Sequence, residues 1–285
     1  MGLPMALNIA RAGIPVRAWN RSAEKAEPLR EEGAEILDSP AAAADGADVI
    51  ITMLADVDAV LASMDGDQGA FRNASDQAIW LQMSTIGEAG TDSCIELARD
   101  RGMQFLDSPV LGTKAPAEQA KLVVLASGPE RLRERAQPIF EAVGQRTIWV
   151  GEAGAGTKLK LATNSWVLTV VEGVAETLAL TEGLGLDPAL LLEALSGGTL
   201  DLPYLQMKGK AIIERDFEPS FKLRLATKDA TLIEEAVQRR DLELPLISLI
   251  RERFNTAVPE HGDKDMIVTY LTSAPGDAGS DAGSS

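Results

Sequence analysis

The chain of 285 residues has a single cysteine and a single histidine. Cys94 has no intrachain partner for a disulfide, and nothing stands with it at metal-ligand spacing, so a disulfide scaffold is excluded and a reducing, cytoplasmic setting is expected. His261, in the HGDKD run, stands too much alone to build a histidine-based triad or a multi-histidine metal site. It reads as a loop or helix-cap residue, and no metal is expected. Positive charge is scarce as well: 27 Lys and Arg face 43 Asp and Glu, a formal charge of −16 that repels phosphate backbones and anionic lipid. No nucleic-acid partner is expected. Long apolar runs are also missing, since the stretch at 161–171 is interrupted by Thr163 and Asn164 and closed by Glu172, short of the ~20 residues of a membrane span. A soluble chain without membrane association is expected. No basic segment leads into an apolar stretch and a small-residue cleavage site, and Ala6 stands where myristoylation wants Ser or Thr, so no targeting signal is expected.

What the sequence does contain is enough apolar residue, 45%, for a folded core, and enough length for about two domains. Over the first 150 residues strand-like and helix-like periods alternate, the mark of βαβ units and a mostly parallel sheet. Helices are expected at 3–12, stopping at Gly13, at 22–32 with Ser22 as N-cap, and at 57–64, 90–101 and 130–143. Strands are expected at 15–19, 47–54, 78–83, 103–106, 122–126 and 147–150. After Gly156 the strand-like runs disappear. The stretch 158–184 carries no proline and reads as one helix of ~27 residues, about 40 Å long, and helices follow from Asp187-Pro188 and at 202–215, 228–239 and 246–256. The expected organisation is a dinucleotide-binding domain at 1–152, a helical domain at 153–274, in which Trp166 reads as a core residue, and a disordered tail at 275–285.

Three groups of residues carry chemistry. Gly2 opens the first helix, in the place of the third glycine of a G-x-G-x-x-G cradle, where backbone amides at a helix N-terminus meet a pyrophosphate; the alternative is an ordinary loop glycine. The second strand of such a unit ends in Asn20-Arg21-Ser22, with no acid to accept from a ribose 2′-hydroxyl, so Arg21 either pairs with a 2′-phosphate, favouring NADP over NAD, or is a solvated surface charge. In G-A-G-T-K-L-K-L-A-T-N at 154–164, Lys160 and Asn164 stand four apart and share one helix face. Together they suit a carbonyl oxygen that must be held and protonated; the alternative is a solvated lysine and a core amide.

Four segments, MGLPMALN at the start, D-S-P-V-L-G-T at 107–113, the 154–164 run and F-K-L-R-L-A-T-K-D at 221–229, together resemble the β-hydroxyacid dehydrogenase family in order and spacing across nearly the whole chain. That family includes 3-hydroxyisobutyrate dehydrogenases, tartronate semialdehyde reductases and glyoxylate or succinic semialdehyde reductases. The resemblance implies an α/β architecture, a Rossmann-type NAD(P)-binding domain followed by an all-α domain like that of 6-phosphogluconate dehydrogenase. It also implies an active site between the two domains, and a homodimer or homotetramer. It makes Lys160 the catalytic lysine and Asn164 the substrate-orienting asparagine, and it brings Lys228, of the Lys228-Asp229 pair, to the nicotinamide end of the cofactor. Met53 and Leu54 fall by the ribose and Thr85, in Ser84-Thr85-Ile86, near the nicotinamide.

The departures from the family pattern bear on substrate and cofactor. The loop that binds the substrate carboxylate reads P-V-L-G-T, so Leu111 replaces a serine and the backbone amides of Gly112 and Thr113 are left for that role. Gln82 stands where many relatives are acidic, and Ala120 where a glycine is frequent. The first Rossmann strand and its two glycines would lie before residue 1, which suggests a truncated sequence, two strands left without a central neighbour and weakened dinucleotide binding. The expected function is NADP(H)-dependent hydride transfer, with NAD also possible, on a short carboxylate-bearing β-hydroxy acid or semialdehyde. The alternatives are a non-catalytic oligomerising relative with impaired cofactor binding, and an imine reductase-like enzyme, disfavoured by the presence of Lys160.

Overall fold

The computed structural model describes residues 1–274, so the tail expected at 275–285 lies outside the described residues. The chain divides into two compact units, Met1–Ala162 and Thr163–Ser285.

The first unit opens with α1 (Gly2–Arg11), which a turn through Gly13 at φ +80° ends, as the sequence suggests. Next come β1 (Arg17–Ala18), two short 3-10 segments (Ala23–Lys25 and Glu27–Glu32), β2 (Glu35–Ile36) and α2 (Pro40–Ala44). Then follow β3 (Val49–Thr52), α3 (Val57–Asp65), β4 (Ile79–Gln82), α4 (Gly87–Asp100), β5 (Gln104–Asp107) and β6 (Val110–Leu111). The unit continues through α5 (Lys114–Glu118), β7 (Leu122–Ser127), α6 (Arg133–Val143) and β8 (Gly144–Gly151). Side chains set two of the helix starts: Ser39 accepts from the Ala42 amide and Asp56 from the Ala59 amide.

The helix expected at 22–32 does not form. Pro28 has no N–H and its ring clashes with the carbonyl four residues back, so an α-ladder cannot run through it; 3-10 turns take its place and Ser22 makes no cap bond.

Six strands form one sheet in the order β3-β4-β5-β7-β6, with β8 on the other edge of β7; β3, β4 and β5 run parallel, as do β7 and β8, while β7 meets β5 and β6 antiparallel. β1 and β2 stand apart as a parallel pair. β4 is wholly buried, whereas Val49, Ile50 and Ile51 of β3, an edge strand of the larger sheet, are only half-buried. α1 covers both sheets: Met5 and Ile9 join the core of the large one, with Ile79, Leu81 and Phe140, while Leu3, Ala6 and Leu7 pack with Ala18, Leu29 and Ile36 over the small one.

The sequence reading of a single long helix holds. α7 (Ala155–Gly183) runs for 29 residues, its first turns belonging to the first unit and its residues from Thr163 to the second. After it come α8 (Ala189–Leu195), α9 (Pro203–Ile213), α10 (Leu223–Gln238), α11 (Pro245–His261) and a 3-10 segment, Met266–Thr272. Among the described residues of this unit the only β-pairing is an isolated bridge, Lys222 with Asp265. Buried charges pin the helices together. Lys208 on α9 reaches Asp265 at 2.8 Å and Ser220 at 2.9 Å, and Glu172 on α7 meets Arg253 of α11 and the Thr269 hydroxyl. Trp166, expected in the core, is instead 62% exposed among the described residues, on a side of α7 that they leave open. Among the described residues no helix is long and apolar enough to cross a membrane.

Candidate functional site

The parallel strands β3, β4 and β5 end at Thr52, Gln82 and Asp107, and the residues just beyond their carboxyl ends are those at which open α/β sheets bind ligands. After β4 the chain turns through Ser84-Thr85-Ile86, and buried Ser84 fastens this turn to the end of β3: its hydroxyl accepts the Leu54 amide at 2.8 Å and donates to the Thr52 carbonyl at 3.2 Å. Gln82 braces the same turn with both ends of its amide, its Oε1 accepting the Ser84 N–H at 2.7 Å and its Nε2 donating to the Ser84 carbonyl at 2.9 Å. A carboxylate at position 82 would keep the first bond and lose the second. Thr85, the next residue of this turn, is half-buried.

Gly2 sits at the same edge, since a Cβ added to it would lie 3.6 Å from the Met53 carbonyl oxygen. As the first residues of α1, Gly2 and Leu3 offer amides that have no acceptor four residues back. Beyond β1, Asn20 Nδ2 donates to the Ser22 carbonyl at 2.7 Å and so rounds the turn that carries Arg21, an exposed cation that pairs with no carboxylate among the described residues. These groups, two amides at a helix start and one unpaired guanidinium, are the donor chemistry that a phosphorylated nucleotide calls for.

The loop at 109–113 crosses from β5 to α5. Leu111 is half-buried in β6, opposite Val123, and supplies no hydroxyl. Gly112 has φ +128°, and a Cβ there would sit 2.7 Å from the Leu122 side chain, so only glycine fits. Thr113 precedes α5 without a side-chain cap bond. The buried Asn8 side chain donates to the Ala117 carbonyl at 2.7 Å and ties α1 to α5. Asn8 belongs to the MGLPMALN segment, and its partner lies 109 positions away, beyond any local sequence signal.

A buried carboxylate seats the start of α7. Asp107 accepts the Thr157 amide at 2.7 Å and the Thr157 hydroxyl at 2.8 Å, while Ser127 donates to it at 3.1 Å and accepts the Gly156 amide at 2.9 Å. Thr91 on α4 lies 3.0 Å from the Thr157 hydroxyl. Gly156 makes the approach possible, because a Cβ there would be 2.3 Å from the Leu125 carbonyl oxygen. Burial pushes the Asp107 carboxyl up to about 6, against the pull of the hydrogen bonds from Thr157, Ser127 and Gly154. Cys94 of α4, wholly buried, has its thiol pushed up to about 12 by burial and then by Asp107, which leaves it unreactive. The sequence signal for the clamp is an aspartate ending a buried strand and a G-T pair opening a long helix.

Three residues further along, Lys160 is 9% exposed while Lys158 is exposed, so the helix turns the first inward and the second to water. Asn164 is 3% exposed and donates through Nδ2 to Asp229 Oδ2 at 2.7 Å; Lys228 Nζ lies 3.1 Å from Asp229 Oδ1. Asp229 thus joins two of the expected site residues, Asn164 and Lys228. His261 is the last residue of α11, and among the described residues no group of three His, Cys, Asp or Glu could hold a metal ion.

Residues 1–151 match the family model described as the NAD binding domain of 6-phosphogluconate dehydrogenase, and 154–271 that described as NAD-binding of NADP-dependent 3-hydroxyisobutyrate dehydrogenase. Among curated relatives, glyoxylate/succinic semialdehyde reductase 2, chloroplastic, of Arabidopsis thaliana is 31% identical over 90% of this chain and 72% of its own. The 2-hydroxy-3-oxopropionate reductase of Escherichia coli (strain K12) is 30% identical over 93% of this chain and 90% of its own. A solved structure of Mycobacterium tuberculosis 3-hydroxyisobutyrate dehydrogenase with L-serine superposes with a TM-score of 0.85 at 28% identity, covering 95% of each chain.

Proposed function

The chain belongs to the β-hydroxyacid dehydrogenase family of NAD(P)-dependent oxidoreductases, and from that premise we propose that it exchanges hydride between NADP(H) and a short β-hydroxy acid or the corresponding semialdehyde. One observation carries the catalytic assignment: of the two lysines at the start of α7, Lys160 is withdrawn from water and Asn164, one turn on, is anchored by Asp229. The nicotinamide, when bound, gives hydride to or takes it from the substrate's carbinol carbon. Lys160 passes a proton to the oxygen on that carbon in reduction and removes it in oxidation, a general acid–base role. Asn164 holds the same oxygen through its amide, and Asp229 fixes which way that amide faces.

The amides of Gly112 and Thr113 take the substrate carboxylate, and Leu111 presents an apolar side chain where a hydroxyl would select other acids. For the cofactor, Gly2 meets the pyrophosphate, Asn20, Arg21 and Ser22 the adenosine ribose and its 2′-phosphate, Met53 and Leu54 the ribose edge, and Thr85 and Lys228 the nicotinamide end. Arg21 favours NADP over NAD. The reading places the enzyme in the cytoplasm as a homodimer or homotetramer. A panel of short semialdehydes and β-hydroxy acids, assayed with NADPH and NADH, tests it: turnover of a carboxylate-bearing member that is lost in Lys160→Ala supports the reading. Equal turnover in Lys160→Ala removes the proton donor and with it the assignment.

A further inference from the structure

α7 begins at Ala155, and the residue before it, Gly154, has φ +93° and no side chain, so the usual capping position serves this helix with nothing. The cap comes instead from two strands. The amides of Gly156 and Thr157, second and third residues of the helix, donate to Ser127 Oγ at 2.9 Å and to Asp107 Oδ2 at 2.7 Å, acceptors 29 and 50 positions away. A local cap ties a helix to its own loop, whereas this one ties α7 to the ends of β7 and β5.

The Thr157 hydroxyl adds a bond that capping does not call for, to Asp107 Oδ1 at 2.8 Å. Amide bonds along the axis set how far the helix stands from the strand ends, and a side-chain bond off the axis sets its rotation. Three residues on, Lys160 stands about 300° around the helix, which is about 60° short of the Thr157 direction, and about 4.5 Å further along. Lys158 stands about 100° the other way. With Thr157 turned to the sheet, Lys160 is therefore the buried lysine and Lys158 the exposed one. Asp107, Ser127, Thr157 and both lysines belong to the first unit.

We infer that Asp107 and Thr157 are positioning residues for the proton donor, holding α7 at the rotation that presents Lys160 to the substrate oxygen. The inference rests on the reading above that Lys160 is that donor. Misplacing a catalytic group by 1 Å costs about 10²-fold in rate, and the long lysine stem enlarges any turn of the helix at Nζ.

Lysine labelling reads the orientation with neither substrate nor cofactor. In brief reductive methylation of the full chain, mapped by mass spectrometry, Lys158 is expected to react well ahead of Lys160. Thr157→Val removes the hydroxyl bond, keeps the shape, and is expected to raise the ratio of Lys160 to Lys158 labelling several-fold, whereas Thr157→Ser keeps the hydroxyl and should keep the ratio of the natural chain. Buried Lys208 should stay unlabelled throughout, which separates a turned helix from an unfolded protein. If Thr157→Val does not fold, Ser127→Ala, which takes away the Gly156 acceptor, is read in the same way. An unchanged ratio in the folded variant overturns the inference.

Kinetics with NADPH and the semialdehyde of the panel that turns over fastest carry the test to the rate. Thr157→Val is expected to lower kcat about 10²-fold with KM nearly unchanged, and Thr157→Ser to restore it. In a Lys160→Ala background Thr157→Val should cost nothing further, since a residue that acts through the lysine then has no lysine to place. An equal loss in both backgrounds overturns the positioning and leaves the donor standing. A Lys160→Ala variant as active as the natural chain overturns the donor, and the positioning role with it.

Discussion

Thr157 donates twice to Asp107, by its amide at 2.7 Å and by its hydroxyl at 2.8 Å, and in doing so fixes both the height and the rotation of α7 where it leaves the sheet. A carboxylate at the positive end of a helix dipole is favourably placed. Because Lys160 follows Thr157 by less than one turn, the direction of the lysine is set by a bond to β5, 53 residues earlier in the chain.

The Asp107 clamp has a pH signature. Its folded carboxyl titrates at about 6, above the ~3.9 of an unfolded aspartate, so the folded protein binds this proton more tightly. By linkage the Asp107 contribution to stability is fully present below about pH 4 and is lost as pH rises through about 6. The stability of the natural chain minus that of Asp107→Asn, from urea titrations between pH 4 and 7, is therefore expected to fall with pH. A difference that rises over this range would show that the carboxyl is not raised.

For the proton donor, Lys160→Ala is expected to lower kcat by ~10² to 10⁴-fold while leaving NADPH affinity nearly unchanged. Lys158, two positions away and on the exposed side, is the control, and its replacement by alanine should be mild. Greater damage from Lys158→Ala would place the catalytic register two residues out.

Cofactor choice turns on Arg21. Arg21→Ala should raise the KM for NADPH far more than that for NADH, as steady-state kinetics with each cofactor will show. Equal effects would remove this guanidinium from the 2′-phosphate.

The buried Lys208 and Asp265 pair gives a stability prediction. Burial pushes the Asp265 carboxyl up, but the Lys208 ammonium and the hydrogen bonds from Lys208, Ser220 and Phe221 outweigh it and hold the group below the usual carboxylate range. Lys208→Met strands that carboxylate and should cost roughly 3 to 5 kcal/mol in urea unfolding at pH 7. The double variant Lys208→Met/Asp265→Leu should recover much of the loss, and a single variant as stable as the natural chain would mean the pair is not buried in solution.

Long periodic elements were legible in the sequence and most of the short ones were not. α7 announced itself through 29 residues without proline, and β4 and β7 through apolar runs between turn residues. β2 and β6 are two residues each, and no period can be read in two residues, whereas β1, equally short, lies inside the strand expected at 15–19. Lys160 and Asn164 were visible because their relation is local, four positions on one helix. Asp107 with Thr157, Ser84 with Leu54 and Asn8 with Ala117 were not, since those bonds join residues 50, 30 and 109 positions apart. Trp166 differs for another reason: its apolar ring implies burial, but among the described residues it stands 62% exposed.

The clamp also decides how the chain can be dissected. A fragment ending near residue 152, where the strands give way to helix, would keep Asp107 and Ser127 in the sheet and discard Gly154, Gly156 and Thr157, the donors that Asp107 and Ser127 receive. It would carry a desolvated carboxylate without most of its hydrogen bonds and an apolar surface from which Leu161 had been stripped. A fragment carried on to Ala162 retains the first two turns of α7 and every partner of Asp107, so the nucleotide-binding half is separable only if it takes the root of the long helix with it.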